Sequence, residues 1–248
     1  EQLAVENREQ FLQAVRNSGS IGLGGAGFPT SLKLGFDPKE KQPDFLIING
    51  AECEPYITSD YRCFMEEGED VLEGVLLMLK YLGIPKCIIG IEKNKPKAIE
   101  KMTRLCEKHD NITVKPLKSS YPQGAEKTLI FSTTGRVVKE GTLPLTSGCI
   151  VVNSSTAAFI AQYIRTGMPL VKRRITVDGN IVKKPSNFIV PVGMSIGEIV
   201  YYAELSDKPD RIILGGPMMG ACAFDPDYPL SKTNNAVLMF ADSPVYEP

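Results

Sequence analysis

The sequence predicts an α/β protein, a layered and mostly parallel sheet with helices, followed by a smaller α+β domain. Three observations carry this prediction. Short apolar runs rich in Ile and Val alternate with stretches whose apolar residues recur at helical spacing, as far as Arg165. The connections between them are compact, as strand-helix-strand units require. From Lys172 onward the texture changes to strand pairs around an Asp-Gly-Asn turn.

In chain order, Phe11, Leu12 and Val15 recur at helical spacing ahead of Gly19, a suitable helix stop. A loop spans Ser20 to Thr30, and Phe45-Leu46-Ile47-Ile48 reads as the first strand, running into a turn-rich segment from Asn49 to Asp60. Glu69 to Leu82, apolar on most faces and closed by Gly83, reads as a helix packed on a sheet. Cys87 to Ile91 is a buried strand, Lys97 to Lys108 an amphipathic helix and Ile112 to Val114 another strand. Ile150-Val151-Val152 and then Ser154 to Arg165 repeat the strand-helix order, ending at Gly167-Met168-Pro169. In the second domain Ile175 to Val177 and Ile181-Val182 form a hairpin about Asp178-Gly179-Asn180. A helix from Ser195 to Ala203 and strands at Arg211 to Leu214 and Ala236 to Phe240 follow. The expected domains are therefore 1–168 and 169–241, with 242–248 as a linker.

Composition limits the function. The 248 residues, 43% of them hydrophobic, suffice for one large or two ordinary cores. Lys plus Arg number 28 against 29 Asp plus Glu, so no basic excess is available to capture nucleic acid or an anionic bilayer. The most apolar stretch, Val71 to Leu82, carries Glu73 and Lys80 and falls short of the roughly 20 residues of a membrane span. No signal peptide is expected, because no basic segment followed by an apolar one opens the sequence. The six cysteines include no C-x-x-C pair, which argues against a zinc site, a ferredoxin-type cluster or a redox dithiol and suits free thiols in a reducing cytoplasm. No metal ligand set is expected, and the lone His109 cannot build a His-based triad.

Four segments carry chemistry. Gly22-Leu23-Gly24-Gly25-Ala26-Gly27 leaves its backbone N–H groups unshielded, and Pro29 suits the first turn of a helix through Leu32 to Leu34 with Lys33 nearby. A phosphate could approach such a loop, although by itself a glycine cluster is more often just a tight turn. The letters satisfy G-x-G-x-x-G, but a helix pattern precedes them where a dinucleotide fold needs a strand, and no Gly-Lys-Ser/Thr closes a P-loop. Asn49-Gly50-Ala51-Glu52-Cys53-Glu54 follows the first strand, where α/β folds bind ligands. Its carboxylates would repel a phosphate and suit hydroxyl or amide donors. Tyr121 to Lys127 opens a helix with a glycine and an acid, and Asn153-Ser154-Ser155-Thr156 joins a strand to a helix.

Taken together, Gly22 to Thr30, Ile47 to Tyr56 and Tyr121 to Glu126 closely resemble the RnfC subunits of Rnf electron-transport complexes. More distantly they resemble the FMN-binding 51 kDa subunit of respiratory complex I. The resemblance covers about residues 10 to 240. It implies a first domain that binds FMN and accepts hydride from NADH, and a β-grasp domain of the soluble-ligand-binding (SLBB) type from Lys172. Gly22, Gly24 and Gly25 are then expected under the FMN and its phosphate, with Lys33 as basic partner and Phe28 as a platform for the dinucleotide. Asn49, Glu52 and Glu54 match positions at the isoalloxazine and nicotinamide, Glu54 serving both. Tyr121 joins the cofactor-binding set, Glu126 falls near the NADH ribose, and Asn153 and Thr156 supply a further FMN contact. Ala51 stands where the complex I subunit has aspartate and Ala125 where it has glutamate, so fewer nucleotide contacts are expected. Ser154-Ser155 replaces a Val-Gly pair, which marks a divergent member.

The resemblance implies hydride transfer from NADH to FMN and then single electrons to iron-sulfur partners, with no side chain acting as acid or base. Full-length RnfC subunits carry an N-terminal barrel-sandwich segment and two ferredoxin-type 4Fe-4S clusters on C-x-x-C-x-x-C motifs that this sequence lacks. A core fragment or shortened paralogue is therefore expected, acting beside cluster domains and other subunits of a membrane complex. It would be cytoplasmic and held at the inner face of the cell membrane through partners, with no direct insertion and no nucleic acid. A carboxylate at Glu126 would repel a 2′-phosphate, favouring NADH over NADPH. Two rival readings stay open: a non-catalytic ligand-binding or docking module, and a soluble RnfC-like reductase serving cobalamin or an amino-acid reductase.

Overall fold

A computed structural model describes residues 2–241, so the expected linker at 242–248 lies outside the described residues. The chain forms two compact units, residues up to 53 with 60–170, and residues 54–59 with 171–241. The short segment 54–59, read from sequence as part of the first domain, makes its contacts with the second unit.

The first unit is built on four parallel strands, β1 (Phe45–Gly50), β2 (Lys86–Glu92), β3 (Ile112–Leu117) and β4 (Cys149–Asn153), in the order β3-β2-β1-β4. The α-helices that accompany them are α1 (Arg8–Asn17), α2 (Thr30–Leu34), α3 (Ser59–Leu82), α4 (Pro96–Cys106), α5 (Glu126–Thr134) and α6 (Ser154–Thr166). Alternate strand residues serve opposite faces. Leu46, Ile48, Ile89 and Val152 join Phe64 and Val75 of α3, Met102 of α4 and Ile160 of α6 in the larger core. Ile47 and Val151 point the other way, onto Leu129 and Ile130 of α5. A sheet covered on both faces has no use for polar alternation, which is why β1, β2 and β4 read as largely apolar runs, whereas the edge strand β3 carries Thr113 and Lys115.

Helix α3 begins ten residues before the expected Glu69. Glu67 sits off helical geometry at φ −124° and ψ 26°, and this kink interrupts the periodicity on which the expectation rests. The N-terminus of α3 is capped from outside its own segment: the Glu52 carboxylate accepts the N–H of Asp60 at 2.8 Å and of Tyr61 at 3.2 Å. A cap so placed leaves no local signature.

In the second unit, β5 (Lys172–Asp178), β6 (Ser186–Pro191), β7 (Arg211–Leu214), β8 (Ala221–Ala223) and β9 (Ala236–Phe240) form one mixed sheet in the order β6-β5-β9-β7-β8. Only β5 and β9 run parallel. Helix α7 (Ile196–Ala203) starts at a capping box of Ser195 and Glu198 and buries Ile196, Ile199 and Ala203 in a core shared with Ile175, Val177 and Met239. The expected tight hairpin into Ile181-Val182 does not form, for β5 pairs with the later strand β6 instead. The turn residues are committed to the end of β9. Asn180 exchanges two hydrogen bonds with the backbone of Ala241, at 2.7 and 3.1 Å, and a Cβ on Gly179 would lie 1.9 Å from the Met239 carbonyl oxygen.

Candidate functional site

In the first unit the glycine-rich loop is pinned at both ends. Gly22 N–H donates to the Phe28 carbonyl at 2.9 Å, Thr30 N–H to the Ser20 carbonyl at 3.2 Å, and the Ser20 and Thr30 hydroxyls meet at 3.0 Å. Thr156, in the first turn of α6, holds the loop by one hydroxyl. It accepts the Leu23 N–H at 3.0 Å and donates to the Ile21 carbonyl at 3.2 Å. Between these ties the N–H groups of Gly24, Gly25 and Ala26 have no partner among the described residues. Gly25 adopts φ +110°, and a Cβ there would meet no atom within 4 Å. The result is an anchored bend that presents three consecutive donors to open space, the arrangement that receives an anion or a ring edge.

The β1 and β4 strand ends stand beside this bend, at the part of an open α/β sheet where ligands bind. Asn153 caps α6, its Oδ1 accepting from Ser155 N–H at 2.9 Å and Thr156 N–H at 3.4 Å. Its Nδ2 donates to Asp60 at 2.8 Å and lies 3.2 Å from where a Cβ on Gly24 would stand. Asn49, its register partner, donates to the Gly124 carbonyl at 2.8 Å and accepts the Ala51 N–H at 3.1 Å. Gly124 N–H reaches the Cys53 sulfur at 3.3 Å, and a Cβ on Gly124 would stand 2.4 Å from the Ala51 carbonyl oxygen. The third expected segment is thereby locked to the second.

Glu52 is the most perturbed carboxyl of the site. Burial first, and then the Asp60 charge, push it up to about 7, against the two α3 amides and Lys95, which favour its ionised form. The Lys95 ammonium also lies over the Tyr61 ring, 5.5 Å from its centroid.

Other expected residues fall out differently. Lys33 and Glu126 are brought together as an ion pair at 2.5 Å, both part-exposed, so the lysine expected at a phosphate and the acid expected at a ribose meet each other here. The helix expected to open around Gly124 begins only at Glu126. Phe28 is 49% exposed and Tyr121 45%, leaving both rings free to stack on a ligand. Glu54 belongs to the second unit, where its carboxylate accepts the Met218 N–H at 2.8 Å and fills the space a side chain on Gly216 would need.

Three further residues lie outside the expected site set. Asp60, assigned to a loop, links Asn153 and Ser155 to the Glu52 segment. Ser155 donates its hydroxyl to Asp60 at 3.0 Å. Glu92, at the end of β2, is 2% exposed and accepts from Ser120 N–H, while its Oε1 has no partner among the described residues. Burial pushes its carboxyl up, opposed by Lys95. A glutamate closing an otherwise apolar strand is the signal that could have found it. Among the described residues no group of three or more His, Cys, Asp or Glu side chains is placed to hold a metal ion. Burial raises the thiols of Cys87, Cys106 and Cys149, that of Cys106 to about 11.

The residues present fit a flavin mononucleotide: loop amides without partners for the phosphate, exposed aromatic rings, and desolvated carboxyls able to meet ring N–H or ribose O–H groups, with Lys33 engaged by Glu126. An α/β fold with such a loop beside the ends of its parallel strands is that of a ligand-binding α/β domain. The chain belongs to the family of the Nuo51 FMN-binding domain, whose model matches residues 15–162. Its curated relatives are RnfC subunits of Rnf complexes. It is 40% identical over 231 residues to the one in the proton-translocating ferredoxin:NAD(+) oxidoreductase complex of Clostridium ljungdahlii, covering 93% of this chain and 50% of that protein. It is 41% identical over 225 residues to the one in the Na(+)-translocating ferredoxin:NAD(+) oxidoreductase complex of Acetobacterium woodii, covering 90% and 51%. The counterpart in the ion-translocating oxidoreductase complex of Rhodobacter capsulatus is 37% identical over 232 residues, covering 93% and 44%. The chain thus spans about half the length of these relatives. In fold it matches a chain of an NAD+-reducing [NiFe]-hydrogenase in the H2-reduced state, at TM-score 0.77 and 23% identity, over 95% of this chain and 47% of that one.

Proposed function

We propose that this chain is the NADH-oxidising flavoprotein module of an ion-translocating electron-transport complex, acting with other subunits and with 4Fe-4S cluster domains on the cytoplasmic face of a membrane. The observation that carries the reading is the pinned bend with three partnerless amides, in a chain of an FMN-binding family. The names of the relatives, which pair NAD(+) with ferredoxin, support the choice of nicotinamide as electron donor or acceptor. Among the described residues no helix is long and apolar enough to cross a membrane. Attachment to the membrane is assigned to partner subunits.

Bound FMN would supply the hydride and single-electron chemistry that no side chain here can perform. The protein binds and orients. Gly24 to Ala26 and Lys33 would hold the phosphate and ring edge, Thr156 keeps the bend in place, and Asn49, Asn153 and Glu52 line the strand ends beside it. Phe28 and Tyr121 offer faces on which a dinucleotide can stack. Glu126, released from Lys33, would accept a ribose hydroxyl and repel a 2′-phosphate, favouring NADH. Glu54 lies in the second unit, which we read as the β-grasp, soluble-ligand-binding domain because its mixed five-stranded sheet packs helix α7.

The test is reconstitution. Apo-protein incubated with FMN and desalted should retain about one flavin per chain. The loaded protein should then lose its flavin absorbance under anaerobic NADH faster than under NADPH, and pass electrons to ferricyanide. A folded chain that retains no flavin would favour the docking-module reading. Retention without nicotinamide reactivity would leave a flavoprotein with another donor.

A further inference from the structure

Asp60 touches two of the segments that build the candidate site while belonging to neither. Its carboxylate accepts Asn153 Nδ2 on one oxygen, at 2.8 Å, and the Ser155 hydroxyl on the other, at 3.0 Å. Its own N–H donates to Glu52 Oε1 at 2.8 Å. Because Asn153 Oδ1 is committed to capping α6, the bond to Asp60 decides which way the amide nitrogen points, and that nitrogen stands against Gly24. One first-turn residue of α3 thus connects the ends of β1 and β4 beside the bend.

We propose that Asp60 is a positioning residue of the cofactor site, fixing the Asn153 amide against the glycine loop and coupling its own charge to that of Glu52. The role rests on the flavin reading above and extends it to a residue outside the expected set. Around Glu52 the facing groups are the Asp60 carboxylate and the α3 amides on one side and Lys95, from the turn after β2, on the other. The Asp60 charge favours the protonated acid and Lys95 opposes it, so the acid is held where small changes in its neighbours alter its charge. A site that must accommodate a change of flavin charge gains from such a neighbour.

The experiment follows the side-chain carboxyls of the full apo-chain by carbon NMR across pH 4 to 9, in wild type and Asp60→Asn. The variant should raise the acid dissociation constant of Glu52 at least threefold. It should also weaken FMN binding about tenfold. The coupling is read at Glu52, and Asp60→Ser, a second variant without the charge, should raise the same constant by a similar factor. This second arm holds if Asp60→Asn fails to fold. An unchanged Glu52 midpoint in folded Asp60→Asn or Asp60→Ser overturns the proposal. The carboxyl titrations need no flavin. Coupled midpoints in a wild type that takes up no FMN would therefore sink the flavin reading while leaving the Asp60–Glu52 coupling in place.

Discussion

Among single residues, Glu52 sets how the fold responds to pH: in the folded chain it holds its proton up to about 7, against 4.5 for an ordinary glutamate. The native state therefore binds more protons than the unfolded chain between those values. The resulting stability is complete below about pH 4.5 and is lost as pH rises through about 7, an effect of at most about 3 kcal/mol. Urea midpoints of the wild type should fall from pH 5 to pH 8 more steeply than those of Glu52→Gln. Glu92, also raised by burial, contributes with the same sign, so the slope of the variant is reduced without vanishing. Equal slopes would show that Glu52 titrates normally. The expected roles of Lys33 and Glu126 change here as well, since a nucleotide must separate their ion pair to use either.

Of the elements, α3 and α6 do the positioning: α3 brings Asp60 to the site and α6 brings Ser155 and Thr156, with Asn153 as its cap. Their spacing depends on Gly74 of α3, where an added Cβ would stand 2.0 Å from the Ala157 carbonyl oxygen of α6. That is a close approach of backbone, with no unusual dihedral involved. Gly74→Ala should accordingly push α6 away and destabilise the first unit by about 1 to 3 kcal/mol. Differential scanning calorimetry reads this directly. A gain in stability from the better helix propensity of alanine would mean that the two helices part without cost.

Across the entire chain, the division into two units predicts a divided response to ligand. A flavin bound to the first unit stabilises what it touches by mass action, about 2.7 kcal/mol at a hundredfold excess over Kd. Hydrogen exchange of the full chain with and without FMN should show added protection at residues 22–30, 49–53 and 153–156. Protection confined to 171–241 would place the ligand in the other unit and contradict the site described here.

Local pattern along the chain reveals a good part of this architecture. Strands β1, β2 and β4 of the parallel sheet show as apolar runs because both faces are buried, and α6 and α7 show through Asn153 and Ser195, caps that sit next to what they cap. The glycine loop shows because four glycines in six residues are hard to mistake. What local pattern missed depends on contacts between distant segments: the early start of α3 under the Glu52 cap, the pairing of β5 with β6 once Asn180 and Gly179 are committed to β9, and the attachment of 54–59 to the second unit. The order of residues was thus enough for the class of fold and for the glycine loop. It took the folded chain to bring Asp60 to Asn153 and Glu52, to pair Lys33 with Glu126, and to raise the Glu52 carboxyl by burial. Burial and the juxtaposition of charges arise when distant segments pack together, and they have no period along the sequence.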